Sequence, residues 1–237
     1  MISFAQITNV GSREINEDSV LIEKEGGRIL FALADGLGGH GRGEDASQLV
    51  TAVCAEVFKN GGGLDECFTQ AQERLMEQQR KERAPEEMKT TLALLLADNG
   101  KVSWGHIGDS RVYRFAAGKF AARTLDHSVP QMLVLSGEIK EKAIRYHEDR
   151  NRLLRVMGVE WESPRFELSD EDAIEPGDRY LLCSDGFWEL ITEKQMQRHL
   201  KKAPTPEKWL ELMEQDVKDN GKGRDMDNYS AIAVFAP

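Results

Sequence analysis

Acidic residues recur in this chain where apolar, strand-like runs begin or stop. Ile29-Leu30-Phe31-Ala32-Leu33-Ala34 runs into Asp35-Gly36, residues 104–108 into Asp109-Ser110, and residues 180–184 into Asp185-Gly186, while Asp227-Asn228 leads into residues 229–234. Strands end at sheet edges, so acids on several strand ends can converge at one place. Converging carboxylates repel one another unless a cation lies between them. Ligands that are all oxygen call for a hard ion, Mg²⁺ or Mn²⁺. One Asp-Gly pair marks only a turn. Four such acids, with an arginine and a Glu-Asp pair near the N-terminus, point to a metal-dependent hydrolase.

The N-terminal group is Gly11-Ser12-Arg13-Glu14-Ile15-Asn16-Glu17-Asp18. An arginine fork holds two oxygens of a phosphate, and adjacent acids behind it hold metal-bound waters. Asp35, read as ending a strand, has two oxygens with which to bridge two cations. Gly36 leaves its carbonyl free to approach a metal. Asp185 and Asp227 close the cluster from other strands, with Asp225 competing for the last place. Two divalent ions ~4 Å apart would activate water and polarise a phosphoryl group. None of His106, His147 and His199 is assigned to metal, and His40 is read as a loop or packing residue at least as readily as a proton donor. Asp126-His127-Ser128 has no nucleophile elbow beside it and is expected to be a structural turn. Cys183 lacks the basic surroundings of a reactive thiolate, so no covalent phosphoenzyme is expected.

These residues need a scaffold. Residues 44–58 place Ala46, Leu49, Val50, Val53, Val57 and Phe58 on one helical face, and residues 64–79 do so with Phe68, Ala71 and Leu75. Thr205-Pro206 opens a helix through Trp209, Leu212, Met213 and Val217. Thr192 and Gln195 form a capping box for another. Strands at 91–97 and 102–107 flank Asp98-Asn99-Gly100, and strands at 111–115 and 120–124 flank Ala117-Gly118. Sequential hairpins with helices between them predict antiparallel sheets packed on each other with helices outside. From Ser128 to Gly158 the character changes to a helix-like piece, 130–139, and a polar stretch, 138–155, which suits a functional excursion beside the site.

The chain has 237 residues, 40% of them hydrophobic, enough for one substantial core. Its formal net charge of −10 argues against nonspecific nucleic-acid binding. Cys54, Cys67 and Cys183 leave one cysteine unpaired under any scheme and are expected as buried thiols in a reducing compartment. With neither a signal-peptide pattern nor an apolar run of the ~20 residues that span a bilayer, a soluble, cytoplasmic, monomeric protein is expected.

In order, Gly11…Arg13…Asn16-Glu17-Asp18, Ala34-Asp35-Gly36-Leu37-Gly38-Gly39-His40, Thr90-Thr91, Gly108-Asp109-Ser110-Arg111, Asp126-His127-Ser128, Leu182-Cys183-Ser184-Asp185-Gly186 and Asp227-Asn228 resemble the metal-dependent Ser/Thr protein phosphatases of the PPM, or type 2C, family. The match spans essentially the whole chain and looks like a bacterial member made of the catalytic domain alone. The resemblance implies an α+β, four-layer αββα sandwich forming one domain, 1–237, with a flap at about 128–158. It implies Mn²⁺ or Mg²⁺ as cofactor. Asp35 would bridge two ions and Gly36 would offer its carbonyl. Asp185 and Asp227 would complete the first ion, and Glu17 would hold the second through water. A third, weaker ion would sit at Asp109 and Asp185. Asp18 would orient the water nucleophile and Arg13 would bind the substrate phosphate. The implied substrates are phosphoserine and phosphothreonine proteins, with a cognate Ser/Thr kinase as a partner. Two departures stand out: Lys89 replaces a glycine frequent before Thr90-Thr91, and Leu37 stands where some relatives carry a histidine. Two other readings remain, a catalytically silent phosphoprotein-binding domain and a phosphoesterase of small molecules, although no nucleotide-cradling P-loop is present.

Overall fold

The structure, a computed structural model, describes residues 1–37, 42–84 and 87–237. One sheet has five strands, β1 (Ser3–Asn9), β12 (Tyr229–Phe235), β11 (Arg179–Cys183), β7 (Arg111–Ala116) and β8 (Lys119–Arg123), in that spatial order. The other runs β10 (Asp172–Ala173), β6 (Lys101–Ile107), β5 (Leu92–Asp98), β3 (Arg28–Leu37) and β2 (Asp18–Glu25). Two short strands, β4 (Lys89–Thr90) and β9 (Glu167–Leu168), add to β3 and β6. All the pairings are antiparallel. Helices α1 (Gly43–Lys59) and α2 (Leu64–Glu82) cover the second sheet, and α4 (Asp185–Trp188), α5 (Glu193–Leu200) and α6 (Pro206–Gly221) cover the first. Among the described residues no helix is long and apolar enough to cross a membrane.

Side-chain alternation builds the four layers. On β3, Ile29, Phe31 and Leu33 face the opposite sheet, while Leu30, Ala32 and Ala34 face α1 and α2. On β11, Tyr180 and Leu182 point between the sheets, and Leu181 and Cys183 point toward α4–α6. Both faces are covered, so these strands read as unbroken apolar runs although their sheets are antiparallel. The expected sandwich is therefore what the chain forms.

Asn99-Gly100 and Ala117-Gly118 make the two-residue hairpin turns, all four residues at positive φ. Thr205 and Thr192 cap α6 and α5 as their sequences predict. The three thiols are free and buried. Two expectations change. Asp35 does not end its strand, because β3 continues to Leu37 by pairing Gly36 and Leu37 with the two residues of β4. The helix expected at 130–139 is shorter, α3 (Val129–Leu135), and the polar stretch after it contains a 3₁₀ turn, Glu141–Tyr146, anchored by buried Ile144 and Arg145.

Candidate metal centre

The carboxylates converge where β2, β3 and β11 come close at one end of the sandwich. Asp18 and Asp35 are direct partners across the β2–β3 ladder. Asp185 begins α4 directly after β11, and Asp109 lies in the turn between β6 and β7. A cleft of about 350 Å³ is lined by Arg13, Glu17, Asp35, Gly36, Asp109, Asp185 and Asp227, with Ile15, Leu37, Asn151 and Leu153 among its other walls. Asp18 lies beneath it, buried. Asp225 is exposed on an adjoining recess and does not line the cleft, which separates it from Asp227.

Backbone and hydroxyl contacts fix this arrangement. Thr91 Oγ1 accepts from the Asp35 N–H at 3.0 Å, and Thr90 Oγ1 and the Thr91 N–H both donate to the Asp35 carbonyl, at 2.8 and 2.9 Å. Ser184 Oγ donates to Asp18 Oδ2 at 2.8 Å. Asn228 spans the site: its Oδ1 accepts from Glu17 N–H at 2.8 Å, and its Nδ2 donates to the carbonyls of Val10 and Ile15 at 2.9 Å each. Two glycines are dictated by close approach. A Cβ on Gly36 would stand 2.3 Å from the backbone of Gly43, and one on Gly186 would stand 2.1 Å from the Asn228 carbonyl oxygen. Gly36 is thus required by the packing of α1 against β3, a reason its motif does not reveal.

The cluster is electrostatically incomplete. Burial, then the neighbouring Asp185, Asp18 and Asp109, hold the Asp35 carboxyl well above the usual carboxylate range. Burial and Asp185 do the same to Asp109. Burial pushes Asp18 up to about 7 despite hydrogen bonds from serine hydroxyls. Asp185 is raised by burial and Asp227, and Glu17 by burial. Asp18 Oδ1 is buried with no hydrogen-bond partner among the described residues. An orphaned buried oxygen among oxygen-only donors fits a hard divalent cation, which would supply the missing positive charge.

Arg13 sits at the rim with its fork closed on Asp227, Nε to Oδ1 at 3.1 Å and Nη2 to Oδ2 at 3.0 Å. Its Nη1 is 3.9 Å from Asp225. Asp227 therefore orients the arginine as well as facing the cleft. His40 lies outside the described residues. Asp126 is structural: it takes both arms of buried Arg111, at 2.7 and 2.6 Å, while Ser128 caps α3.

Sequence reasoning passed over Thr90, Thr91, Ser184 and Asn228 as supports. Their polar side chains beside the acidic motifs were the available signal. It also missed a compact grouping of His106, His127 and Glu167 outside the carboxylate cluster. The two imidazoles stack at 4.5 Å. His127 Nδ1 accepts from the Gly108 N–H at 3.2 Å, so its proton resides on Nε2, facing Glu167 at 3.2 Å. That tautomer offers Glu167 a hydrogen bond rather than a lone pair to a metal.

Comparison with known proteins agrees with this geometry. The family model described as Protein phosphatase 2C matches residues 8–220. The chain is 33% identical over 215 residues to the serine/threonine protein phosphatase PstP of Mycobacterium tuberculosis, covering 88% of this chain but only 40% of that relative's length. It is 30% identical to the serine/threonine phosphatase stp of Listeria monocytogenes, covering 81% and 80% of the two chains. A crystal structure of the PstP catalytic domain in complex with two manganese ions superposes with a TM-score of 0.82 at 30% identity, over 99% of this chain and 97% of that one. From the ordered acidic motifs, the two-sheet sandwich that brings them together and these matches, it follows that the chain belongs to the protein phosphatase 2C family.

Proposed function

We propose that the chain is a metal-dependent protein serine/threonine phosphatase. The observation that carries this reading is the set of buried, mutually repelling carboxylates at one end of the sandwich, open to a cleft with an arginine at its rim. Family membership and the two-manganese complex of a relative support the same reading. Asp35, Glu17, Asp185, Asp227 and the Gly36 carbonyl are the groups that would hold two Mn²⁺ or Mg²⁺ ions, with Asp109 and Asp185 holding a third, weaker one. When bound, such ions supply an activated water and polarise the phosphoryl oxygens.

The chain's own residues do the rest. Asp18, braced by Ser184 beneath the cleft, would orient the attacking water. Arg13, steadied by Asp227 through Nε and Nη2, has Nη1, which is 3.9 Å from exposed Asp225, to turn to a phosphate oxygen. Cys183 has no nucleophilic role, because burial keeps its thiol protonated, far above the ordinary cysteine range. The segment from 128 to about 158 is proposed as a flap contributing to substrate choice, since Asn151 and Leu153 line the cleft. Phosphorylated Ser/Thr proteins are the proposed substrates and a Ser/Thr kinase a proposed partner, with the protein acting as a cytoplasmic monomer.

Turnover of a phosphothreonine peptide, a nucleoside monophosphate and a small sugar phosphate, each with saturating Mn²⁺, tests the substrate class. Peptide turnover exceeding the others at least tenfold in kcat/KM is expected. Preference for the nucleotide or sugar would place the chain among small-molecule phosphoesterases. Binding of the peptide without turnover of any substrate would make it a phosphoprotein-binding domain. Arg13→Ala should raise KM for the peptide more than it lowers kcat. An unchanged KM with a fallen kcat would remove Arg13 from phosphate binding.

A further inference from the structure

We propose that Trp188 is a positioning residue for Asp109 and that Arg145, from the flap segment, holds it in that role. Both rest on the reading above, in which Asp109 and Asp185 share a weaker metal ion. The turn carrying Asp109 is tied on several sides. The Gly108 N–H donates to His127 Nδ1, the His127 N–H donates to the Gly108 carbonyl at 2.9 Å, and the hydroxyls of Ser110 and Thr91 meet at 2.7 Å. Gly108 has φ +99, and a Cβ there would lie 2.5 Å from Thr91, so the turn leaves its strand by a path only glycine takes easily. The Asp109 carbonyl itself accepts from the Trp188 indole Nε1–H at 2.9 Å.

Trp188 is three residues after Asp185 on the same short helix, so one side chain joins the two acids. The indole is fully buried, with the Arg111 guanidinium 3.4 Å from its ring centroid and that of Arg145 at 5.3 Å. Arg111 is fixed in turn by Asp126. Arg145 also donates to the Trp188 carbonyl and to Glu193. A continuous set of buried contacts therefore runs from the 3₁₀ turn of the flap, through Trp188, to the backbone of Asp109. Neither Trp188 nor Arg145 lines the main cleft, although Arg145 reaches the adjoining recess beside Asp185, so the direct contact of this set with the cleft's acids is the indole bond to the Asp109 carbonyl. Losing the indole N–H leaves a buried carbonyl without this donor and frees the turn to reorient.

Isothermal titration of the full chain with Mn²⁺ alone tests this, comparing wild type with Trp188→Phe, which keeps an aromatic face for Arg111 but removes the N–H. The weakest Mn²⁺ step is expected to weaken roughly 3- to 10-fold while the tighter steps stay as in wild type. The Mn²⁺ concentration giving half-maximal phosphate release should rise by a similar factor, with KM for a phosphothreonine peptide unchanged at saturating metal. A merely structural tryptophan would lower the unfolding midpoint and leave the Mn²⁺ isotherm alone, and that result overturns the proposal. If Trp188→Phe does not fold, Arg145→Gln is read in the same titration. The same weakening supports the proposal and an unchanged isotherm overturns it. Asp35→Asn, titrated alongside, separates the two levels. Wild-type Mn²⁺ binding in that variant would sink the metal-centre reading itself, whereas its loss together with an unaffected Trp188→Phe would sink only this inference.

Discussion

Asp18 shows how one side chain carries both a stability cost and a chemical role. Its carboxyl is buried, bonded on one side to Ser184, orphaned on the other, and pushed up to about 7. A raised folded-state pKa contributes stability below the unfolded value near 4 and loses it as pH rises through the folded value. The metal-free protein should therefore lose stability between about pH 4 and pH 7 as Asp18 ionises, reinforced by the raised Asp35, Asp109 and Asp185. A cation needs the ionised forms, so its binding displaces protons and strengthens with pH. Thermal unfolding with and without Mn²⁺ at pH 6 and pH 8 should show the larger metal-induced rise at pH 8. An equal rise at both would mean that these carboxyls are already ionised without metal. At Gly36, a methyl group has no room beside the Gly43 backbone. Gly36→Ala should cost about 1–3 kcal/mol by urea unfolding and perturb Mn²⁺ binding with it.

Elements place these residues, and they were unevenly legible. Four acids of the cleft stand out in the sequence because each adjoins an apolar run, and the hairpin turns do because Asn99-Gly100 and the glycine of Ala117-Gly118 accept positive φ readily. β4 was not legible. It has two residues, too few for any periodicity, yet it extends β3 past Asp35 and brings Thr90 and Thr91 onto the Asp35 backbone. Thr91→Val keeps the shape and removes the hydroxyl that accepts from Asp35 and meets Ser110. It should weaken Mn²⁺ binding several-fold with little change in secondary structure by circular dichroism. The 3₁₀ turn at Glu141–Tyr146 escaped prediction for a different reason, since a buried arginine and one isoleucine, rather than an apolar face, hold it. Arg111 and Asp126, widely spaced in sequence motifs, form a fully buried bidentate pair. Asp126→Ala strands the Arg111 charge and should destabilise the fold by about 3–5 kcal/mol. A loss below ~1 kcal/mol by urea unfolding would show that Tyr113 and Glu193 suffice to hold the guanidinium.

The whole molecule turns local alternation into a site. Because helices cover both outer faces, β3, β5, β11 and β12 are buried on each side, and the sandwich is thick enough to sink acids at its end beneath solvent while a cleft keeps them reachable. The layer order was legible from hairpins and helical stripes, whereas the convergence of acids from five separate stretches of chain depended on the tertiary pairing of the sheets. Phe31 lies wholly buried between the sheets, in edge contact with Phe4 at 5.4 Å. Phe31→Ala should cost about 3–5 kcal/mol of stability. Phosphate release from a phosphothreonine peptide, measured for wild type and Asp35→Asn with and without Mn²⁺, tests the account as a whole. It predicts release by wild type only with metal and near-complete loss in Asp35→Asn at any Mn²⁺ concentration. Release that survives metal removal, or an Asp35→Asn variant as active as wild type, would contradict it.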